Sequence, residues 1–480
     1  MRDWKPGIHW VLCLGLLIPT PLAAQELAER IVGSIEEARA EYEALAGEIW
    51  SLAELGYQEH RSSALLQERL RSAGFEVESG VAGIPTAFVA SYGQGEPVIA
   101  ILAEFDALPG LSQAAVPERQ PIADGHAGHA CGHHLFGTAS TAAAIAVREW
   151  LEESGRSGTV RLYGTPAEEG GGGKIYMVRA GLFDDVDVVL HWHPSSANDA
   201  SPSTSLANIS AKFRFTGIAA HAASAPHRGR SALDGVEAMN YMANLMREHV
   251  PQETRIHYAI TRGGEAPNVV PDFAEVYYYV RHPDAATLQG IWERLVKAAE
   301  GAALGTGTSV EYEIVNGVYN ILPNETLARI MDENLRRVGG ITYTPEERAF
   351  AERIAATLGE ARAPIESAGE IQPFDPDARG GASTDVGDVS WVALTVGLGT
   401  ATWVPGTAGH SWQAVAAGGT SIGTKGMMVA AKTLALTAMD LFASPSRITA
   451  AWRELEERRG ADFEYRPLVG DRSPPLDYRK

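Results

Sequence analysis

Two spacings of apolar residues alternate along this chain. Between about Ala24 and Arg71, Ile31, Ile35, Leu45, Ile49 and Leu52 recur at helical intervals with acidic residues between them, which predicts helix. Val98-Ile-Ala-Ile-Leu102 is different: an unbroken apolar run, the mark of a strand buried on both faces. Val160-Arg-Leu-Tyr163 and residues 186–190 read the same way, and the Ala-rich stretch 139–150 reads as helix. Strands alternating with helices predict an α/β domain with a mainly parallel sheet flanked by helices. Each predicted strand stops at polar or turn-forming residues: Glu104 to Gly110, Gly164 to Gly170, and His191 to Pro194. Open α/β sheets place their sites at such ends.

The texture changes near Ser205. Residues 208–215 read as strand, 231–249 as helix, 254–260 and 274–280 as strands, 288–302 as helix and 309–315 as strand. That order is the split βαβ pattern of a ferredoxin-like α+β domain. It reads as an insertion, because α/β character resumes after Leu322. The expected division is a leader at 1–24, a first catalytic part at 25–204, the inserted domain at 205–321, and a second catalytic part with a charged tail at 322–480. A short helix and then Pro-rich extended chain are expected after about Ser446.

Length agrees with that division, since 480 residues exceed what one core holds. The formal net charge of -20 argues against nucleic acid or an anionic membrane as partner. Arg2 and Lys5 precede an apolar run at 10–18, then Pro19, Pro21, Ala23 and Ala24, the order of a secretory signal peptide. The chain is therefore expected in the periplasm or outside the cell. No stretch beyond the leader reads as long and apolar enough to cross a membrane. Of the two cysteines, Cys13 leaves with the leader and Cys131 remains alone. A lone thiol in an oxidising compartment calls for an occupant, and a metal would be one.

Chemistry concentrates at the strand ends. In Gly125-His-Ala-Gly-His-Ala-Cys-Gly-His-His134, Cys131 and His133 are separated by one glycine. On a helix the pair would face about 200° apart, whereas in a loop it can converge on zinc. Glu168 and Glu169 are adjacent carboxylates that repel unless positive charge is near. One can bind a metal while the other faces the attacking water; a solvated acidic turn is the plainer alternative. His191 and His193 flank Trp192, and His410 lies in Gly409-His-Ser-Trp412. Together these groups supply donors for two metals sharing a bridge. Asp106 is either a carboxylate that orients a ligand histidine or a turn aspartate. His221 sits among tiny residues, and Asn268 and Arg281 could present an amide and a guanidinium to a substrate carboxylate. A turn asparagine and a surface ion pair are the alternatives. Trp403 and Trp412 are open between an aromatic wall and core positions.

With these motifs in place the chain resembles the aminoacylase/carboxypeptidase family of co-catalytic zinc peptidases, and within it the amidohydrolase branch that includes the aminobenzoyl-glutamate hydrolases. The carrying stretches are Phe105-Asp-Ala-Leu-Pro109, His129-Ala-Cys-Gly-His133, Pro166-Ala-Glu-Glu-Gly170, Ala220-His-Ala-Ala223, Asn268-Val-Val-Pro-Asp272, residues 383–391 and Gly409-His-Ser-Trp-Gln413. The resemblance implies a zinc-peptidase catalytic domain with an inserted dimerisation domain, and a homodimer. It implies hydrolysis of N-acyl amino acids or dipeptides. Cys131 would bridge two divalent metals, with Glu169 and His410 completing one site and His133 the other together with His193, preferred over His191 because it directly precedes Pro194. Glu168 would be the general base, Asp106 would support the metal shell, and His221 would stabilise the oxyanion, often from the partner protomer. Zinc suits thiolate and imidazole, with manganese or cobalt open. His134 departs from the acidic or amide residue many relatives carry there, so the surroundings of the metal are expected to differ. The competing reading is a non-catalytic binding protein that keeps the fold, but such a protein has no use for Glu168.

Overall fold

The computed structural model describes residues 21–123 and 125–479; most of the expected leader therefore lies outside the described residues. The helical region up to about Arg71 is divided into α1 (Pro21–Glu37), α2 (Arg39–Leu52) and α3 (His60–Ser72). The break after α2 has a local cause. Ala53 and Tyr57 take left-handed φ values of 42° and 64°, and the Ala107 N–H donates to the Glu54 carbonyl at 2.8 Å. This loop carries Tyr57 and Glu59 into the interior, where both are buried.

Next come β1 (Glu76–Ser79), β2 (Phe88–Gln94), β3 (Val98–Ala103), α4 (His133–Ser154), β4 (Gly158–Gly164), α5 (Gly173–Arg179) and β5 (Val188–Ser195). The small domain contributes β6 (Ala207–Thr216), α6 (Ala232–Met246), β7 (Arg255–Arg262), β8 (Phe273–His282), α7 (Ala285–Thr306) and β9 (Ser309–Val318). The chain then returns as α8 (Glu325–Val338), α9 (Pro345–Ala355), α10 (Val386–Ser390), β10 (Leu394–Ala401), α11 (Trp412–Gly418), α12 (Ser421–Ala443) and α13 (Pro445–Arg459).

The larger sheet has six strands in the order β1-β2-β4-β3-β5-β10. The run β4-β3-β5-β10 is parallel, and β1 and β2 add an antiparallel edge. Every residue of β3 is buried, as its unbroken apolar sequence requires. Helices α4 and α12 pack on each other and on the sheet, with Trp150 against Phe442. Parallel register brings the ends of β3, β4 and β5 side by side, so Glu104, Thr165 and His193 emerge together.

Helix α12 corrects one expectation. It is long and apolar enough to cross a membrane by length and composition, with a mean hydropathy of 1.3 over its most apolar window. That window is 83% buried inside the protein, so its apolar surface is already covered as a core helix.

The second sheet is antiparallel, in the order β7-β8-β6-β9, with α6 and α7 packed on it. Its core is separate and aromatic: Phe213 touches Tyr278, Trp292 and Tyr312. Strand β7 is an edge strand, largely exposed.

Candidate metal centre

Cys131 occupies the turn just before α4, and His133 is the first residue of that helix. Gly132 makes the turn at a φ of 75°, a left-handed conformation that glycine takes without strain. A Cβ there would lie 2.7 Å from the Pro194 Cβ, so the turn packs directly on the end of β5. This brings Cys131 Sγ to 3.4 Å from His193 Nε2. Because Cys131 precedes the helix rather than lying on it, its donor converges with that of His133.

Two donor sets share the thiol. Donor atoms of Cys131, His133 and His193 lie within 4.8 Å of one another, as do those of Cys131, Glu169 and His410. Glu104, His133 and Glu168 form a third such set. His191 belongs to none of these sets; its ring packs on Gly397 of β10, where a Cβ would come within 2.3 Å of it.

Asp106 ties the two sides together. Its Oδ1 is 2.9 Å from His133 Nδ1, and its Oδ2 accepts from the Glu169 N–H at 2.9 Å. The first contact leaves His133 Nε2 free to face the centre. The Glu168–Glu169 turn is held from below as well. Glu59 accepts the Ala167 N–H at 2.8 Å, and the Tyr57 hydroxyl donates to the Gly171 carbonyl at 2.8 Å. Burial raises Glu59 to about 8, and Asp106 adds to that rise. His410 enters from the far side, with Nε2 3.1 Å from Glu169 Oε1 and its backbone N–H on the Ala130 carbonyl at 2.9 Å.

The donors fit a cation better than they fit each other. His133 Nε2 lies 3.1 Å from Glu104 Oε2, as His410 Nε2 does from Glu169 Oε1, yet His133 Nε2, Glu104 Oε2 and Glu169 Oε1 are buried with no contact in hydrogen-bonding geometry. Such atoms cost free energy unless something satisfies them. Burial pushes the Cys131 thiol up, so a thiolate needs nearby positive charge. Burial, then Glu104 and Glu169, push Glu168 well above the usual carboxylate range. Divalent cations held by Cys131, His133 and His193 and by Cys131, Glu169 and His410 would supply that positive charge.

One buried ionic group escaped the sequence reading. Lys174, on α5, lies 2.7 Å from both Glu104 Oε1 and Asp385 Oδ1, and all three are buried. The only hints were Glu104 two places before Asp106 and Asp385 within the stretch 383–391. His134 is a second difference. It turns away from the centre, with Nε2 3.0 Å from the Gly418 carbonyl and its ring against His129.

A cavity of about 670 Å³ opens over these donors, lined by Cys131, Glu168, Glu169, His193 and His410 and by Ser203, Gly381 and Thr384. Trp403 lines it and is buried, whereas Trp412 is not among the lining residues. His221, Asn268 and Arg281 stay on the small domain and do not line the cavity. His221 is exposed, its Nδ1 accepting the N–H groups of Ala223 and Ser224 at 3.2 Å. Asn268 is exposed on the loop paired with it, and Arg281 lies on β8 over the Tyr279 ring.

Residues 207–306 match the peptidase dimerisation domain family. The chain is 46% identical over 444 residues to one of the subunits of p-aminobenzoyl-glutamate hydrolase of Escherichia coli, covering 87% of this chain and 92% of that one. It is 31% identical to the Xaa-Arg dipeptidase of Mus musculus, covering 90% and 92%. Among solved structures, a dinuclear metal-binding M20-family peptidase of Bacillus subtilis superposes with a TM-score of 0.58 at 20% identity, covering 85% of this chain and 99% of that one.

Proposed function

The chain belongs to the M20 family of peptidases, and on that premise we propose that it hydrolyses the amide bond of N-acyl amino acids or dipeptides, with aminobenzoyl-glutamate as the model substrate. The observation that carries this reading is the sharing of Cys131 by two donor sets with Glu168 beside them. Two divalent cations bound there, of which zinc suits the thiolate and imidazoles best, would polarise the scissile carbonyl and acidify water.

The protein's own groups do the rest. Glu168 takes the proton of the attacking water on its carboxylate and hands it to the departing amine nitrogen. Asp106 keeps His133 in the tautomer that faces the centre. Lys174 balances Glu104 and Asp385, so the wall behind Glu168 carries one cation for two carboxylates. The cavity gives the acyl group room beside Trp403.

A homodimer is part of the proposal. Tyr241 and Leu245 on α6 and Ile260 on β7 are exposed large apolar residues beside an unpaired strand edge. A second copy would cover them and offer its His221 to the reacting carbonyl, while Asn268 and Arg281 would meet the substrate carboxylate. Export by the leader at 1–24 is proposed from the sequence alone.

The test strips the metal, then adds back zinc, manganese or cobalt and assays aminobenzoyl-glutamate beside a panel of N-acyl amino acids and dipeptides. Metal-dependent turnover that disappears in Glu168→Ala is the expected result. A dimer that holds metal yet turns over no panel member would overturn the reading.

A further inference from the structure

The last residues of the chain reach the metal centre from the other end of the sequence. After α13 the tail is irregular, yet it is pinned at intervals. Arg472 donates to the carbonyls of Ile314 and Val315 on β9 at 2.7 and 2.5 Å and to the Tyr176 hydroxyl on α5 at 3.1 Å. Arg179 of α5 answers by donating to the Gly470 and Arg472 carbonyls at 3.0 and 2.7 Å. Gln58 then donates to the Leu476 carbonyl at 2.9 Å, and the Tyr478 ring stands edge-on to Tyr57 at 5.6 Å. At the end, the Arg479 guanidinium and the Tyr478 hydroxyl both donate to the Glu169 carbonyl, at 2.6 and 3.2 Å.

We propose that residues 470–479 are a strap that fixes the Glu168–Glu169 turn, with Arg479 and Tyr478 as positioning residues for the base and its neighbour. The Glu169 backbone is gripped on both sides. Asp106 holds its N–H and the strap holds its carbonyl. The turn needs such restraint, because Ala167 sits at a φ of 59°, a conformation that costs a side chain energy. A charged donor makes the stronger kind of hydrogen bond to a carbonyl. The same strap is bolted to β9 of the small domain through Arg472, so it links that domain's placement to the turn that carries Glu168.

The kinetic part of this inference rests on the proposed hydrolase activity, so the test has readouts that do not. In the metal-free full-length protein, Arg479→Met should speed amide exchange of residues 169–173 on the order of tenfold while the melting temperature holds. Zinc retention against a competing chelator should weaken about tenfold, the scale of lost outer contacts at metal sites. On the best substrate, kcat should fall about tenfold with KM within about twofold, as expected when a base is misplaced but the substrate still binds. Arg479→Lys, which keeps a cationic donor, should recover most of each loss, and Tyr478→Phe should show a smaller one. Unchanged exchange and zinc retention in Arg479→Met overturn the strap. So does an equal loss in Arg479→Lys. If the wild type hydrolyses nothing, the hydrolase reading falls while exchange and zinc retention still judge the strap.

Discussion

Lys174 meets Asp385 twice: its ammonium lies 2.7 Å from Oδ1, and its backbone N–H donates to Oδ2 at 2.9 Å. The first turn of α5 is thereby fixed to the start of α10, behind Glu104. Burial alone would lower the Lys174 pKa, but Asp385 and Glu104 more than reverse that, so the group stays charged. Lys174→Met leaves two buried carboxylates without their cation, and removing one partner of such a group costs about 3–5 kcal/mol. Urea unfolding of the metal-free protein should show a loss of that order, and a midpoint unchanged from wild type would refute it.

Asp106→Asn should spare the fold and weaken the metal centre. Asparagine has one acceptor oxygen where Asp106 uses two, on His133 and on Glu169. Losing such an outer contact lowers metal affinity about 10–100-fold. Chelator competition measures the drop, with circular dichroism confirming the fold.

Glu168→Gln should retain metal and lose turnover. The amide keeps the shape but cannot take a proton, and general-base contributions run about 10²–10⁴-fold. A variant that loses kcat together with its metal would instead mark Glu168 as structural.

Asp388 gives a pH dependence away from the metal centre. It is buried, and accepts the Tyr465 hydroxyl at 2.7 Å and the Tyr319 N–H at 3.1 Å. Burial raises it to about 7, despite these two donors. An acid whose folded pKa is raised stabilises the fold fully below its unfolded pKa, about 3.9, and the contribution is lost as pH climbs through the folded value. Unfolding free energy should therefore carry a falling component between about pH 4 and 7. Asp388→Asn, which cannot ionise, should lack that component. Parallel slopes for the two proteins across this window would contradict the assignment.

Gly132→Ala tests the turn that brings Cys131 to His193. The added methyl would press on Pro194 at 2.7 Å in a left-handed conformation. Destabilisation of about 1–3 kcal/mol is expected, with weaker zinc retention because the two donors are forced apart.

The sequence announced β3 through residues 98–102 because burial on both faces leaves an unbroken apolar run. It did not announce β1, an edge strand whose Glu76, Glu78 and Ser79 are exposed, or β2, which is only partly buried along its length. The helical pattern at the N-terminus was legible, but its break at Ala53 was not, since left-handed turns usually advertise themselves with glycine at the turning residue. Among the donors, Cys131, His133, Glu168, Glu169, His193 and His410 stood out by residue type at strand ends. Glu104, Lys174 and Asp385 did not, because a buried ion group is assembled from distant segments and leaves no spacing to read. His134, at which the metal's surroundings were expected to differ from those in many relatives, is turned by helical geometry towards Gly418.

The order of the donors along the chain bears on how the protein matures. Cys131, His133, Glu169 and His193 all precede the second sheet, whereas His410 follows it. A nascent chain thus holds the thiol and its early neighbours long before the last imidazole leaves the ribosome. Domains fold largely as units, in order of synthesis, but β10 must slot in beside β5 before His410 can reach Glu169. If His410 is a ligand, stable cation capture would be a late step of biogenesis, and a chain truncated before residue 410 should lose its metal far more readily than the finished one.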